Sequence, residues 1–182
     1  MSESTIARRY AKALIEIAQD EGKVEPYRLE LENFNQAALG SPELLKILAN
    51  RFLPVSERMG IINELSQKLS LSVTVIHFLK FLMQKGRMDL FHFVTAAYRR
   101  FAFALQNREE ALVTTAAALP DSTYEEIKKT LEATTRKTMV LNREIDPAVI
   151  AGICIRVGNE IYDGTVKTEL DKLSLNMSKG VI

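Results

Sequence analysis

Tryptophan is absent from this chain of 182 residues, and cysteine occurs once, at Cys154. One thiol cannot build a disulfide framework within a chain, so the composition does not call for an oxidising compartment. A surplus of one charge is missing as well. The 24 Lys and Arg face 23 Asp and Glu, and the formal net charge of +1 sets up no global field to gather nucleic acid or an anionic membrane. Long apolar runs are also lacking. The most apolar stretch, VTVIHFLKFLM, is shorter than the ~20 residues that span a bilayer and carries His77 and Lys80. The opening MSESTIARRY has neither the apolar block of a signal peptide nor the Arg/Ser-rich leader of an imported organellar protein, so the chain is expected to be cytosolic as made.

Catalytic patterns are equally scarce. His77 and His92 are the only histidines and neither belongs to an HxxxH or HExxH pair, so no metal site is expected. No sequence pattern sets a histidine beside Cys154, which alternates with Ile153 and Ile155 as a small apolar residue does. Glu109-Glu110 and Glu125-Glu126 are sequence neighbours, which do not face one another on a helix as a paired acid and base would. The expectation is a protein that is not an enzyme and needs no cofactor.

What is present is amphipathic helix. In STIARRYAKALIEIAQDEG, Ile6, Tyr10, Ala13, Leu14 and Ile17 recur at helical spacing, Ala11, Ile15 and Ala18 broaden the arc, and Gly22 supplies a stop. A second helix has Pro26 in its first turn, aligns Tyr27, Leu31, Phe34 and Ala38, and ends at Gly40. Ser41-Pro42 opens a short third. Pro54 opens a fourth with Val55, Met59, Ile62, Leu65 and Leu69 in phase. Ser72 is placed to cap a fifth, closed by Gly86, and a sixth starts near Asp89 with Leu90, Val94, Ala97, Phe101 and Leu105. Six helices on short turns predict a bundle.

From about Arg108 the period changes. EEALVTTAAAL and TMVLNREI read as strands, and Ser122 to Glu125 as a capping box leading a helix with Ile127 and Leu131 inward. AGICIRV alternates, and a last helix carries Val166, Leu170 and Leu173. The fold class expected is α+β, mainly α: a six-helix bundle over 1–107, then a small α/β domain over 108–182, in the order β-α-β-β-α.

Gly152, Gly158 and Gly164 stand six residues apart. Neither GxGxxG nor GxxxxGK[ST] is present, and a five-residue strand separates the first two, so they do not form one phosphate loop. Gly158-Asn159 reads as the tight turn of a hairpin from AGICIRV to EIYDG. Asp163-Gly164-Thr165 reads as a turn with Thr165 capping the last helix, and Gly152 as a point of close approach.

The fifth helix has an apolar surplus. Val75, Ile76, Leu79, Leu82 and Met83 share an arc, while Phe78 and Phe81 lie away from it. A helix apolar nearly all round is either enclosed by its own bundle or leaves a groove for a guest helix. Two functional classes stay open on the residues alone. One is a binding adaptor with an apolar groove. The other is a helical-bundle regulator that binds nucleic acid through its basic faces, at Arg8, Arg9 and Lys12 and at Arg99 and Arg100. Near-zero net charge and the aromatic surplus favour the adaptor.

The run MVLNREIDPAVIAGICIRVG followed by YDGTVKTELDKL resembles the C-terminal signature of the δ subunit of bacterial F-type ATP synthases, the counterpart of the mitochondrial oligomycin-sensitivity-conferring protein. Met139, Leu141, Ile145, Asp146, Val149, Gly152, Ile155, Arg156 and Gly158 fill the pattern, with Ala151 where many members have a second glycine. IARRYAKALIEIA is similar to the family's opening helix, FLMQKGRMDLF to the end of its fifth, and TTAAALPDSTYEEIKK to its second-domain entry. The resemblance implies a non-catalytic stator subunit that couples proton-driven rotation to ATP synthesis by tying the catalytic head to the peripheral stalk. It implies that the helical domain receives the N-terminal helix of an α subunit between its first and fifth helices, and that the second domain meets the b-type stalk subunits. Combined with the helical wheels, it puts the partner-binding groove at Tyr10, Ala13, Phe78 and Phe81. It implies a peripheral place on the cytoplasmic face of the cell membrane, with no direct membrane insertion and no nucleic-acid partner.

Overall fold

The computed structural model describes residues 3–50, 52–158 and 160–178. The chain forms two compact units, Met1–Ala102 and Phe103–Ile182. The first holds α1 (Glu3–Asp20), α2 (Val24–Gly40), α3 (Pro42–Ala49), α4 (Val55–Lys68) and α5 (Val73–Gln84). A 3-10 turn at Met88–Leu90 leads into α6 (Phe91–Leu105), which runs past Ala102. The second unit holds β1 (Arg108–Thr115), α7 (Asp121–Thr135), β2 (Thr138–Ile145), β3 (Ile153–Val157), β4 (Glu160–Asp163) and α8 (Val166–Ser178). The architecture is mainly helical, with one small mixed sheet.

Helix ends follow from left-handed residues. Gly22 lies at φ +65°, the Lys23 N–H donates to the Ala18 carbonyl at 2.8 Å, and the Gly22 N–H donates to Gln19 at 3.1 Å. That pair of bonds is a Schellman end. Gly86 repeats it, with bonds from Arg87 to Leu82 and from Gly86 to Met83. The end of α4 repeats it without glycine: Ser70 takes φ +51°, and Leu71 bonds back to Ser66 at 2.9 Å. Gly40 does not end its helix in this way; it is the last helical residue of α2.

The core of the first unit is built chiefly on α1, α2, α5 and α6. Tyr27, Leu31, Phe34 and Ala38 are all buried, as the stripe predicts. The ring of Phe34 meets that of Phe91 edge-on at 5.1 Å. The Tyr98 hydroxyl donates to the Val24 carbonyl at 3.1 Å, and burial pushes its ionisation up, so it stays a donor. Other stripes shift phase. In α4 the buried line is Arg58, Ile62 and Ser66, because the Arg58 guanidinium reaches the Leu48 carbonyl at 3.3 Å; Val55 is exposed. In α6 Phe91, Val94, Tyr98 and Ala102 face the core and Leu105 is exposed. Ser72 holds the N-cap position of α5, yet its side chain does not close on its own helix. Both its hydroxyl and its N–H donate to the Glu30 carboxylate, at 2.8 and 2.7 Å.

The sheet of the second unit is ordered β2-β1-β3-β4. β1 and β2 are parallel across the α7 crossover, with Ala111 beside Leu141. β3 is antiparallel to β1 and to β4, the fourth strand of a β-α-β-β-β-α order. Ala111, Met139 and Val157 pack with Leu131 of α7, and Ile127, Leu141 and Ile155 rim that small core. The capping box at Ser122 does not form: α7 begins at Asp121 behind Pro120, which puts Ser122 inside the helix. Thr165 does cap α8, accepting from the Thr168 N–H at 3.3 Å. Gly152 lies at φ +98°, where a Cβ would sit 2.8 Å from the Thr165 Cα and nearer still to the Gly164 carbonyl. Its glycine answers to the turn that launches α8. Gly158 is left-handed at φ +57°, while Asn159 lies outside the described residues.

Candidate functional site

The apolar stripe of α1 divides into two rows. Ala7, Ala11, Leu14, Ile15 and Ala18 are buried and make the core face. Ile6 and Tyr10 are half-buried, and Ala13 and Ile17 are exposed. The residues that broadened the arc are therefore the core, and the row 6, 10, 13, 17 is left toward solvent. α5 divides in the same way. Val75, Leu79, Leu82 and Met83 are buried, Phe78 is half-buried against the core, and Phe81 is 44% exposed.

The two helices run antiparallel, as two contacts show. Near the end of α1, Glu21 accepts from Thr74 of α5 at 3.1 Å and from the Tyr27 hydroxyl. The Tyr27 hydroxyl, then that of Thr74, holds the Glu21 carboxyl below its ordinary range. Earlier in α1, the ring of Tyr10 meets that of Phe81 edge-on at 6.1 Å. Ala13 and Ile17 of α1 and Phe78 of α5 fall between these two pins in position along the helices. Of the four groove candidates, the structure brings Tyr10 and Phe81 into contact, packs Phe78 against the core and leaves Ala13 exposed.

Two further groups belong to this surface. Ile17, 45% exposed, continues the row of Tyr10 and Ala13, and its i+4 spacing from Ala13 was the signal for it. The Lys85 ammonium lies 5.5 Å from the centroid of the Phe81 ring, a cation–π contact at the rim. Nothing in the local sequence distinguishes this lysine from a solvated one.

The surface offers apolar contact rather than chemistry. His77 and His92 are exposed and Cys154 is half-buried. Among the described residues, no group of three or more His, Cys, Asp or Glu could hold a metal ion. The basic clusters are partly engaged. Arg8 lies over the Phe101 ring at 5.7 Å, and Lys12 pairs with Glu16 at 4.0 Å. Among the described residues, no helix is long and apolar enough to cross a membrane.

The sequence matches the protein family described as ATP synthase delta (OSCP) subunit over residues 6–177. The protein named ATP synthase subunit delta in Geotalea uraniireducens (strain Rf4) is 35% identical over 180 residues, 99% of this chain and 100% of that one. Its namesake in Solidesulfovibrio magneticus (strain ATCC 700980 / DSM 13731 / RS-1) is 33% identical over 182 residues, with 99% and 100% covered. Among solved structures, a chain of the Toxoplasma gondii mitochondrial ATP synthase hexamer matches with a TM-score of 0.77 at 19% identity, covering 94% of this chain and 96% of that one. That likeness is one of fold.

Proposed function

Because the chain belongs to the ATP synthase delta (OSCP) subunit family, we infer that it works as a stator subunit of F-type ATP synthase, a part of the complex that binds rather than turns over. The relatives give no support to a nucleic-acid regulator. In our reading the first unit takes an amphipathic helix from the N-terminus of an α subunit into the furrow between α1 and α5. The second unit meets the b-type stalk subunits, and the protein sits peripherally on the cytoplasmic face of the membrane. It carries no catalytic group of its own.

The observation that carries the groove is the Tyr10–Phe81 ring pair. It bridges two helices whose outer rows are apolar and open, where a guest helix finds aromatic anchors. Ala13 adds a position where a small side chain lets another backbone come close. A stator needs this kind of contact, since an apolar interface holds under the varied salt that weakens exposed ion pairs.

The test is Phe81→Asp. A carboxylate there would be desolvated against the guest, so binding of a synthetic helix with the sequence of the α-subunit N-terminus is expected to weaken by at least ~2 kcal/mol, the scale of an interface hot spot. Calorimetry reads the affinity. The helical circular dichroism is expected to stay unchanged, because Phe81 is 44% exposed. Undiminished affinity removes Phe81 from the groove.

A further inference from the structure

β2 is an edge strand, and among the described residues no strand pairs with its outer side over a definite stretch. The Thr138 N–H donates to the Asn107 carbonyl at 3.1 Å and the Asp146 N–H to the Thr115 carbonyl at 2.9 Å, both toward β1. A strand in a parallel ladder turns alternate residues to alternate sides. Residues 138, 140, 142, 144 and 146 thus spend their backbone groups on β1, and Met139, Leu141, Arg143 and Ile145 turn theirs outward. The Met139 N–H is taken by the Glu132 carboxylate of α7 at 2.9 Å. From Leu141 to Ile145 the outward ladder has no such cover from α7, and no proline interrupts it.

A cleft of about 320 Å³ runs beside this edge, lined on the α7 side by Tyr124, Glu125 and Lys128 and on the strand side by Met139, Leu141 and Arg143. Arg108 of β1 lines it too, so three cations meet the carboxylates of Glu125, in the lining, and Asp121, at its margin. Arg143 is stacked on the Tyr124 ring, 4.0 Å from its centroid, and held by Asp121 at 2.6 Å. Lys128, half-buried, makes no hydrogen bond or ion pair among the described residues.

We propose that the outer edge of β2 and the cleft under α7 form a second docking site, which takes an extended acidic peptide segment as an added strand. The segment's backbone pairs with Leu141, Arg143 and Ile145. Its alternate side chains enter the cleft over Met139 and Leu141, and its carboxylates meet Lys128 and Arg143. Charge decides against a second copy of this chain as occupant. Antiparallel pairing of two such edges about the middle of the open stretch would set Arg143 opposite Arg143, and like charges directly opposite destabilise a strand pair.

The full chain is titrated with an acetylated, amidated hexapeptide alternating Glu and Val, up to ~1 mM, a weak-binding range, while amide exchange is followed by NMR. The amides of Leu141, Arg143 and Ile145 are expected to gain protection together. The Lys/Val counterpart peptide is expected to leave them unchanged. Arg143→Pro removes an outward N–H without touching the inner ladder. Lys128→Glu reverses a charge on the helix side, where folding does not depend on it. Each is expected to weaken the peptide by about tenfold or more, the effect of ~1.4 kcal/mol, with circular dichroism unchanged. Equal binding of the Lys/Val peptide, protection at other amides, no protection at all, or undiminished binding to Lys128→Glu overturns the proposal.

Discussion

Two units of one chain solve the burial problem differently. Among the described residues, the helical unit encloses a cluster of twenty buried apolar residues, while the sheet unit encloses four. The first draws on wide apolar arcs of α1, α2, α5 and α6, so it can leave an aromatic pair at its surface and still close. The second keeps one helix against one face of a sheet, and its last helix shows Val166, Leu170 and Leu173 to solvent at 43%, 54% and 57% exposure. Surplus in the first unit is an exposed apolar row beside a finished core. Surplus in the second is apolar surface next to a core that is small on its own. Regions with few buried contacts open first, so the sheet unit is the one expected to depend on a partner for its stability.

The largest effect that bears on this contrast comes from deleting the second unit. A fragment ending at Asn107 keeps α1 to α6 and is expected to fold and to take up the α-subunit helix, while its capture of the C-terminal part of the b-type stalk is lost. Pull-down against each partner separately is the measurement. Retained stalk capture breaks the proposed division of partners between units.

Next in size is Phe34→Ala. Phe34 is fully buried against Phe91, and truncating a buried phenylalanine costs about 3–5 kcal/mol. Urea unfolding with residue-level hydrogen exchange should place that loss in the helical unit. Equal loss at the amides of β1 and β3 would make the two units one cooperative body.

Gly152→Ala is the counterpart in the sheet unit. A left-handed alanine costs about 1–2 kcal/mol, and the collision with Gly164 and Thr165 adds an overpacking cost of about 1–3 kcal/mol. Exchange protection in β3 is expected to fall while that of α2 and α5 stays. Unchanged β3 protection would show that the turn ahead of α8 yields freely.

The smallest effect is a pH dependence. The Asp163 carboxyl is held below its ordinary value by the Thr165 N–H, then by the hydroxyls of Thr165 and Thr168. A carboxyl whose folded pKa is depressed contributes in full above its unfolded value, about 4, and loses that contribution as pH falls through the folded value. The sheet unit is therefore expected to weaken below about pH 4. Asp163→Asn should flatten that part of the acid limb in a pH series of thermal melts. An unaltered limb would assign acid sensitivity to other carboxylates, such as Glu21 in the helical unit.

Much of the fold was legible because local rules set it. The stripe of α2, the glycine stops at Gly22 and Gly86, the alternation of β3 and the Thr165 cap all depend on neighbours within a turn or two. Some misreadings have distant causes, and others come from a neighbouring residue that departs from the usual local pattern. Ser72 has the look of a cap, but its partner is Glu30, forty-two residues away. The end of α4 gave no sign because a serine, not a glycine, takes the left-handed position. Asp121 rather than Ser122 begins α7 because Pro120 fixes the entry. In α1 the wheel marked a wide apolar arc but could not say which margin the bundle would bury, and the buried margin was the alanine-rich one. The same limit holds for the candidate site. Spacing set Phe78 and Phe81 apart from their core arc, but the contact of Phe81 with Tyr10 depends on an antiparallel pairing of helices that no local pattern encodes.

The bond from Tyr98 to Val24 spans 74 residues. Chains leave the ribosome at about 5–20 residues per second. Several seconds therefore separate the emergence of Val24 from that of the hydroxyl that bonds to its carbonyl. Phe34 waits nearly as long for Phe91. Through that interval the aromatic residues of α2 have no partner from α6 to cover them. The bundle is then most exposed to wrong association while it is being born, and a slow codon stretch or a chaperone acting between α2 and α6 would set its yield without altering a single contact in the finished fold.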